Sequence, residues 1–125
     1  MSLKNEQKYR SWVEVDLDNF TANLREIKRL IGGNAAIMQT VKADAYGHGA
    51  IEISRAALRE GARMLGVANA DEGIQLRVGG IEAPVIILGP STEAELADII
   101  KYHLTPSVSD MKFAATLEEQ LAKAG

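Results

Sequence analysis

The sequence predicts an α/β fold in which parallel strands are joined by helical crossovers. Two observations predict it. Short runs of β-branched and small apolar residues alternate four times with stretches whose apolar residues fall at helical spacing. Glycine or proline stands at most of the joins, at Gly32-Gly33, Gly61, Gly79-Gly80 and Gly89-Pro90. The 125 residues are 46% hydrophobic and 25% charged, enough for one soluble domain with its own core.

Taken in order, Ser11 to Asp16 alternates apolar and polar residues and suits a short strand, with Trp12 a packing residue. Asp18 reads as the cap of a helix carrying Phe20, Leu24, Ile27 and Ile31, which Gly32-Gly33 ends. Ala35 to Val41 is nearly continuous in apolar character, as a strand covered on both faces would be. A loop around Tyr46 follows, then a helix from Ala50 to Glu60 that turns Ile53, Ala57 and Leu58 inward. Met64 to Ala68 is the second strand. Asp71 opens a short helix carrying Ile74, Leu76 and Val78. Val85 to Leu88 is the third strand. Thr92 with Glu95 forms a capping box before Leu96, Ile99 and Ile100. Leu104 to Val108 is a weaker fourth strand, interrupted by Pro106. Asp110 caps a last helix with Phe113, Leu117 and Leu121 in one stripe, and Lys123 near its end suits the helix dipole. Two architectures fit, an open doubly wound sheet and a (β/α) barrel, and periodicity does not separate them.

Composition narrows the function. The formal net charge of -3 and the lack of a basic cluster argue against a nucleic-acid surface. With no cysteine and two histidines far apart, His48 and His103, a structural zinc site and thiolate chemistry drop out. No apolar run reaches the ~20 residues of a membrane span, and the first ten residues lack the apolar core of a signal peptide, so a cytoplasmic protein is expected. The dinucleotide fingerprint fails at Glu52, and the P-loop pattern is absent.

The chemistry concentrates at Lys42, where an apolar strand becomes a loop. In both architectures this carboxyl end is where sites are built. A lysine partly withdrawn from water becomes a usable amine nucleophile, and imine formation with an aldehyde cofactor such as pyridoxal phosphate is its characteristic work. The plain alternative is a strand-end lysine paired with Asp44 or Glu72. Tyr46 can donate to a phosphate or simply pack at the edge. Gly47 and Gly49 suit a tight turn, and His48 between them suits a hydrogen bond holding the loop more than it suits a base. The acidic pairs Glu93/Glu95 and Glu118/Glu119 read as solvated helix faces.

The stretch Val41-Lys42-Ala43-Asp44-Ala45-Tyr46-Gly47-His48-Gly49 closely resembles the cofactor-lysine signature of the alanine racemase family. Trp12 to Asp18 with Asn23-Leu24 resembles that family's amino-terminal segment. Gly61-Ala62, Val67-Ala68, Glu72-Gly73 and Val85 to Gly89 resemble its second and third barrel strands. The resemblance implies parallel βα repeats forming about half of a (β/α)8 TIM-type barrel. In the family a mostly β carboxyl-terminal domain follows, and the protein is a cytoplasmic homodimer. It also implies pyridoxal 5'-phosphate as cofactor and interconversion of L-alanine and D-alanine, which supplies peptidoglycan. Lys42 matches the lysine that forms the internal aldimine and exchanges the α-proton on the D-alanine side. Tyr46 matches the tyrosine bonded to the cofactor phosphate, and Leu88 a wall of the cofactor pocket. Other readings are a racemase for serine or another amino acid, a decarboxylase or cofactor-homeostasis protein on the same barrel, and a non-catalytic assembly module.

Length is where the chain departs from the family. A barrel of this type takes about 250 residues. The expectation is therefore the amino-terminal part of such a barrel, residues 1–125, without the β domain and inactive alone. Half a barrel also leaves two open sheet edges and an apolar inner face, which a second copy could cover.

Overall fold

The computed structural model describes residues 10–124. Helix α1 (Leu17–Ile31) precedes strand β1 (Met38–Thr40). A single turn α2 (Lys42–Gly47) and helix α3 (Ala50–Arg59) lead to β2 (Met64–Val67). Helix α4 (Ala70–Val78), strand β3 (Val85–Pro90) and a 3₁₀ turn over Glu93–Glu95 follow. Helix α5 (Leu96–Lys101), strand β4 (Thr105–Ser107) and helix α6 (Met111–Ala124) complete the described chain. The strands lie side by side in the order β1-β2-β3-β4, all parallel. A doubly wound sheet reverses its order at a switch point; this one runs in one direction, as a barrel wall does.

Burial divides the sheet into two faces. Leu65, Val67, Val85 and Ile87 are completely buried and pack with Ile53 of α3, Leu76 of α4 and Ile99 of α5. The alternate residues face away from that core. Met38 and Leu88 on this second face are each 39% exposed. The expectation that the first strand is covered on both faces is therefore corrected: one face meets helices, and the other stays partly open. β1 and β4 are the open edges, as expected of half a barrel.

Several local readings need correction. Ser11 to Asp16 forms no strand, because no described neighbour offers it a ladder of hydrogen bonds. Trp12 is 59% exposed, so it is not a packing residue; its indole N–H donates to Glu14 at 2.9 Å. The cap of α1 is Asp16, two residues before the expected Asp18, and it accepts from the Asn19 N–H at 2.9 Å. Asn69 displaces Asp71 as the cap of α4. Val78 lies on the solvent side of that helix and Leu121 is largely exposed on α6. Other readings hold: Thr92 and Glu95 make the capping box, and Asp110 accepts from the Phe113 N–H at 2.8 Å. Lys123 pairs with Glu119 at 2.6 Å.

Between β3 and β4 the register slips, with Ile86 opposite Thr105 but Pro90 opposite Ser107. The Ser107 hydroxyl donates to the Ile87 carbonyl at 2.6 Å within this irregularity. At the other end of the strands, Arg77 acts as a staple. Its guanidinium donates to the carbonyls of Ile81 and Ala83, both at 2.8 Å, of Tyr102 at 2.9 Å and of His103 at 3.1 Å. One side chain thus satisfies carbonyls from the approaches to both β3 and β4. No helix among the described residues is long and apolar enough to cross a membrane.

Glu95 is not a solvated face residue. One carboxylate oxygen serves the capping box; the other accepts from the Ala70 N–H at 3.2 Å, tying the start of α4 to α5. Burial pushes this carboxyl up, but the N–H donors of Thr92 and Ala70 and the Thr92 hydroxyl outweigh burial and hold it below the ordinary value.

Two predictions follow from these staples. Replacing Arg77 by Lys leaves a single ammonium where a planar fork met four carbonyls. It should lower unfolding stability by about 2 kcal/mol in urea titration, whereas Arg29→Ala at the exposed α1 surface should cause no resolvable change. Because the folded-state pKa of Glu95 is depressed, its stabilisation is complete above the unfolded carboxyl value of about 4.3 and is lost as pH falls through the folded value. Glu95→Gln should therefore be destabilising at pH 7, and the gap from the wild type should close as urea titrations are moved into acid.

Candidate active site

The carboxyl ends of four parallel strands lie at one end of the sheet, so their loops converge there. The first begins with Val41, 1% exposed, whose N–H still bonds the Gly66 carbonyl at 2.8 Å as a continuation of the ladder. Lys42 comes next, half-buried, at the start of α2.

The turn after Lys42 has an unusual backbone. Ala43, Asp44, Ala45 and Tyr46 have φ of 50°, 53°, 53° and 56°, four successive non-glycine residues in the left-handed region. Left-handed geometry costs an L-residue roughly 1–2 kcal/mol, so four in a row require compensation from their surroundings. Compensation is visible at both ends. The Ala45 N–H bonds the Val41 carbonyl at 2.9 Å, and the Gly49 N–H bonds the Asp44 carbonyl at 2.9 Å. Asp44 Oδ1 accepts from the Ala50 N–H at 2.7 Å and so caps α3. His48 Nδ1 lies 2.9 Å from the Ala45 carbonyl, the loop-holding hydrogen bond expected of it. Gly47 and Gly49 carry φ of 85° and 89° and let the chain leave the turn, as expected of a tight turn.

Glu72, in the first turn of α4, reaches across from the second unit. Its two carboxylate oxygens accept from the Ala43 N–H at 2.9 Å and the Ala68 N–H at 2.7 Å. Asp44 and Glu72 were the two carboxylates expected to neutralise Lys42 in the plain alternative. Both are occupied with backbone N–H groups. Among the described residues Lys42 makes no salt bridge.

Tyr46 stands one turn beyond Lys42 and is 61% exposed. With His48, Met38, Thr40, Glu14 and Asp16 it lines a groove of about 620 Å³ along the open edge of β1. Lys42 and Leu88 are not part of that lining. Leu88, near the end of β3, lies over β2: a Cβ placed at Gly66 would stand 3.0 Å from Leu88 Cδ1. The missing side chain at Gly66 is what lets Leu88 cross toward β1, whose Thr40 is the register partner of Gly66. The three residues singled out in the sequence thus share one end of the sheet, with Tyr46 turned to the groove and Leu88 over Gly66. The parts not foreseen are Glu72 and Asp44 as backbone acceptors. The Asn69-x-x-Glu72 spacing carries a signal for the first, since it is the pattern of a capping box. Among the described residues no cluster of three potential metal ligands occurs.

Four parallel βα units in unbroken order, with a lysine-bearing turn at the carboxyl end of the first strand, define the opening half of a (β/α)-barrel enzyme scaffold. The chain belongs to the family described as "Alanine racemase, N-terminal domain", whose profile matches residues 15–125. It is 45% identical over 112 residues to the alanine racemase of Carboxydothermus hydrogenoformans, covering 90% of this chain and 30% of that protein. Against the alanine racemase of a Nostoc species it is 42% identical over 114 residues, covering 87% and 30%. Among solved structures it superposes on alanine racemase from Clostridium difficile 630 with a TM-score of 0.88 at 38% identity, over 94% of this chain and 31% of that one. Alanine racemase from Bacillus anthracis, solved with bound L-Ala-P, gives a TM-score of 0.81 at 37% identity, over 87% and 29%. The chain spans about 30% of the length of the curated relatives it matches. The four-stranded sheet corresponds to the amino-terminal half of the alanine racemase barrel.

The left-handed turn makes a signed prediction. Glycine at position 43 adopts the observed φ without the Cβ penalty, so Ala43→Gly should raise stability by about 0.5–1 kcal/mol. Ala43→Val places a β-branched side chain in the same region and should lower it by at least about 1 kcal/mol. Thermal unfolding of the two variants beside the wild type measures both.

Proposed function

We propose that this chain is the amino-terminal part of a pyridoxal-phosphate-dependent alanine racemase, in which Lys42 holds the cofactor and serves as one of two proton-transfer groups. The observation that carries the reading is the placement of Lys42. It sits at the carboxyl end of β1, and the two carboxylates that the sequence offers it, Asp44 and Glu72, are engaged by backbone N–H groups. An amine at that place, half-buried and without a counter-ion among the described residues, fits an aldehyde cofactor better than it fits a structural ion pair.

When bound, pyridoxal phosphate would supply the electron sink that makes the hydrogen on an amino acid's α-carbon acidic. The residues of this chain divide the remaining work. The Lys42 amine would hold the cofactor, and its Nζ would take and return the α-proton on the D-alanine face. The Tyr46 hydroxyl, exposed at the far end of the same turn, would donate to the cofactor phosphate. Leu88, carried over Gly66, would provide an apolar wall for the cofactor ring and keep water from it. Moving a proton between opposite faces requires a second acid/base group across the substrate, which we assign to the longer protein working as a homodimer. Its product, D-alanine, would serve cytoplasmic synthesis of cell-wall peptidoglycan.

The test is covalent trapping. Pyridoxal phosphate is added to the purified protein, the adduct is reduced with borohydride, and the labelled residue is mapped by mass spectrometry. Label should accumulate on Lys42 well above the exposed Lys101 and Lys112, and Lys42→Arg should remove it there while leaving the surface background. Labelling spread evenly over the surface lysines would overturn the reading.

A further inference from the structure

We propose that Glu72 is a positioning residue for Lys42: it clamps the residue that follows the lysine and so holds the left-handed turn in register with the second strand. The proposal rests on the reading of Lys42 as the cofactor lysine, and deepens it.

The geometry starts from a deviation in a familiar motif. In an ordinary capping box the third helical residue reaches back to the N–H of the cap residue. Here Asn69 caps α4 and its Oδ1 accepts from the Glu72 N–H at 3.0 Å, which is one half of the box. The other half is redirected. Glu72 Oε2 takes the Ala68 N–H at 2.7 Å, one residue before the cap, and Oε1 takes the Ala43 N–H at 2.9 Å from a different βα unit. A single carboxylate therefore joins the chain just beyond β1 to the chain just beyond β2, at the end of the sheet where Lys42 stands.

The Ala43 N–H needs an outside partner. It belongs to the first residue of the left-handed run, and the amides opening any helical turn have no acceptor within it. Ala43 through Tyr46 are held at φ between 50° and 56°, a conformation that L-residues leave unless their surroundings enforce it. Asp44 and His48 secure the far end of the turn. Glu72 is the side chain that secures the near end. Releasing it frees the φ of Ala43, and that torsion sets the course of the turn that separates Lys42 from Tyr46. A carboxylate is suited to the task, because it accepts two N–H groups at once and also complements the positive end of α4.

The test compares Glu72→Gln with two companions in the full chain. Glutamine has the same shape but only one acceptor oxygen, so it keeps at most one of the two backbone bonds. Amide hydrogen exchange at Ala43, or at Ala68 where the single oxygen stays with Ala43, should quicken by about tenfold or more in this variant, the scale of one lost charge-assisted hydrogen bond, while the amides of β2 and β3 stay protected. The borohydride-fixed label at Lys42, measured against Lys101 in the same sample, should fall several-fold. Asn69→Ala removes the bond to the Glu72 backbone N–H but keeps both carboxylate bonds of the clamp, and should leave both readouts as in the wild type. Adding Ala43→Gly to Glu72→Gln lowers the cost of the left-handed turn and should recover part of the Lys42 label.

Unchanged exchange at both Ala43 and Ala68 in Glu72→Gln overturns the clamp. Equal loss of label in Asn69→Ala assigns the effect to general destabilisation and overturns it as well. If Glu72→Gln does not fold, Glu72→Asp keeps the charge but is one methylene too short to span both amides, and carries the same two readouts. Absence of selective Lys42 label in the wild type would refute the cofactor reading alone, because the exchange measurement involves no cofactor.

Discussion

Parallel strands can be joined only by connections that travel back over a face of the sheet, and this constraint sets the rest of the structure. Each return passes through a helix, and in this chain the returning helices share one face. That places Leu65, Val67, Val85 and Ile87 in the interior and leaves Met38 and Leu88 on the other side partly open. It also brings every strand's carboxyl end to the same end of the molecule. Lys42, Ala68 and Leu88 come from three different units, and they gather at the same end of the sheet because the strands do not reverse. The chemistry of the site is thus inherited from a packing rule about crossovers.

Against that background the turn after Lys42 is the one costly local choice. A right-handed turn or a longer loop would connect β1 to α3 without a steric penalty. The left-handed run from Ala43 to Tyr46 survives because its polar groups are satisfied from several directions: by Val41 behind it, by α3 ahead of it, and by Glu72 from the side. Small residues at positions 43 and 45 keep the Cβ penalty near its minimum, and Ala45 is buried where a larger side chain would have to displace the core. Strain held in this way beside Lys42 limits the orientations its backbone samples, which is what the role proposed for it requires.

Much of this could be read from residue order. The four βα units, the end of α1 at Gly32, the Thr92–Glu95 box and the Asp110 cap all depend on neighbours close in sequence, and local patterns report them well. Lys42 stood out for a similarly local reason, a charge at the end of an apolar run. The errors have a common physical origin in contacts that sequence order does not reveal. Ser11 to Asp16 alternates like a strand, but alternation does not supply a pairing partner. Glu95 looked like one acid among several on a helix, yet it receives an N–H from Ala70, 25 residues earlier. Sequence order offers Glu72 only as a counter-ion for Lys42; its bond to Ala43 spans 29 residues and follows from the β1–β2 register. The sign of φ through Ala43–Tyr46 is invisible for another reason. Alanine and tyrosine carry no preference for the left-handed region, so that conformation is imposed by the environment and not by the residues.

The disposition of carboxylates suits the role proposed for the lysine. An ammonium at a strand end with Asp44 two residues away and Glu72 on the adjacent helix would ordinarily close an ion pair. Such a pair would compete with any aldehyde for the amine, since a tightly paired ammonium is not a nucleophile. Backbone N–H groups compete for those same oxygens and win for a geometric reason. The Ala50 amide opens α3 and the Ala43 amide opens the left-handed turn, and both lack acceptors within their own elements. A carboxylate that moved to Lys42 would leave such an amide without a partner. The flexible lysine, by contrast, can be hydrated when no acid is present. Satisfying the backbone therefore also keeps both acids away from the amine, and the same hydrogen bonds that stabilise the turn leave Lys42 without an ion pair among the described residues, as its proposed role requires.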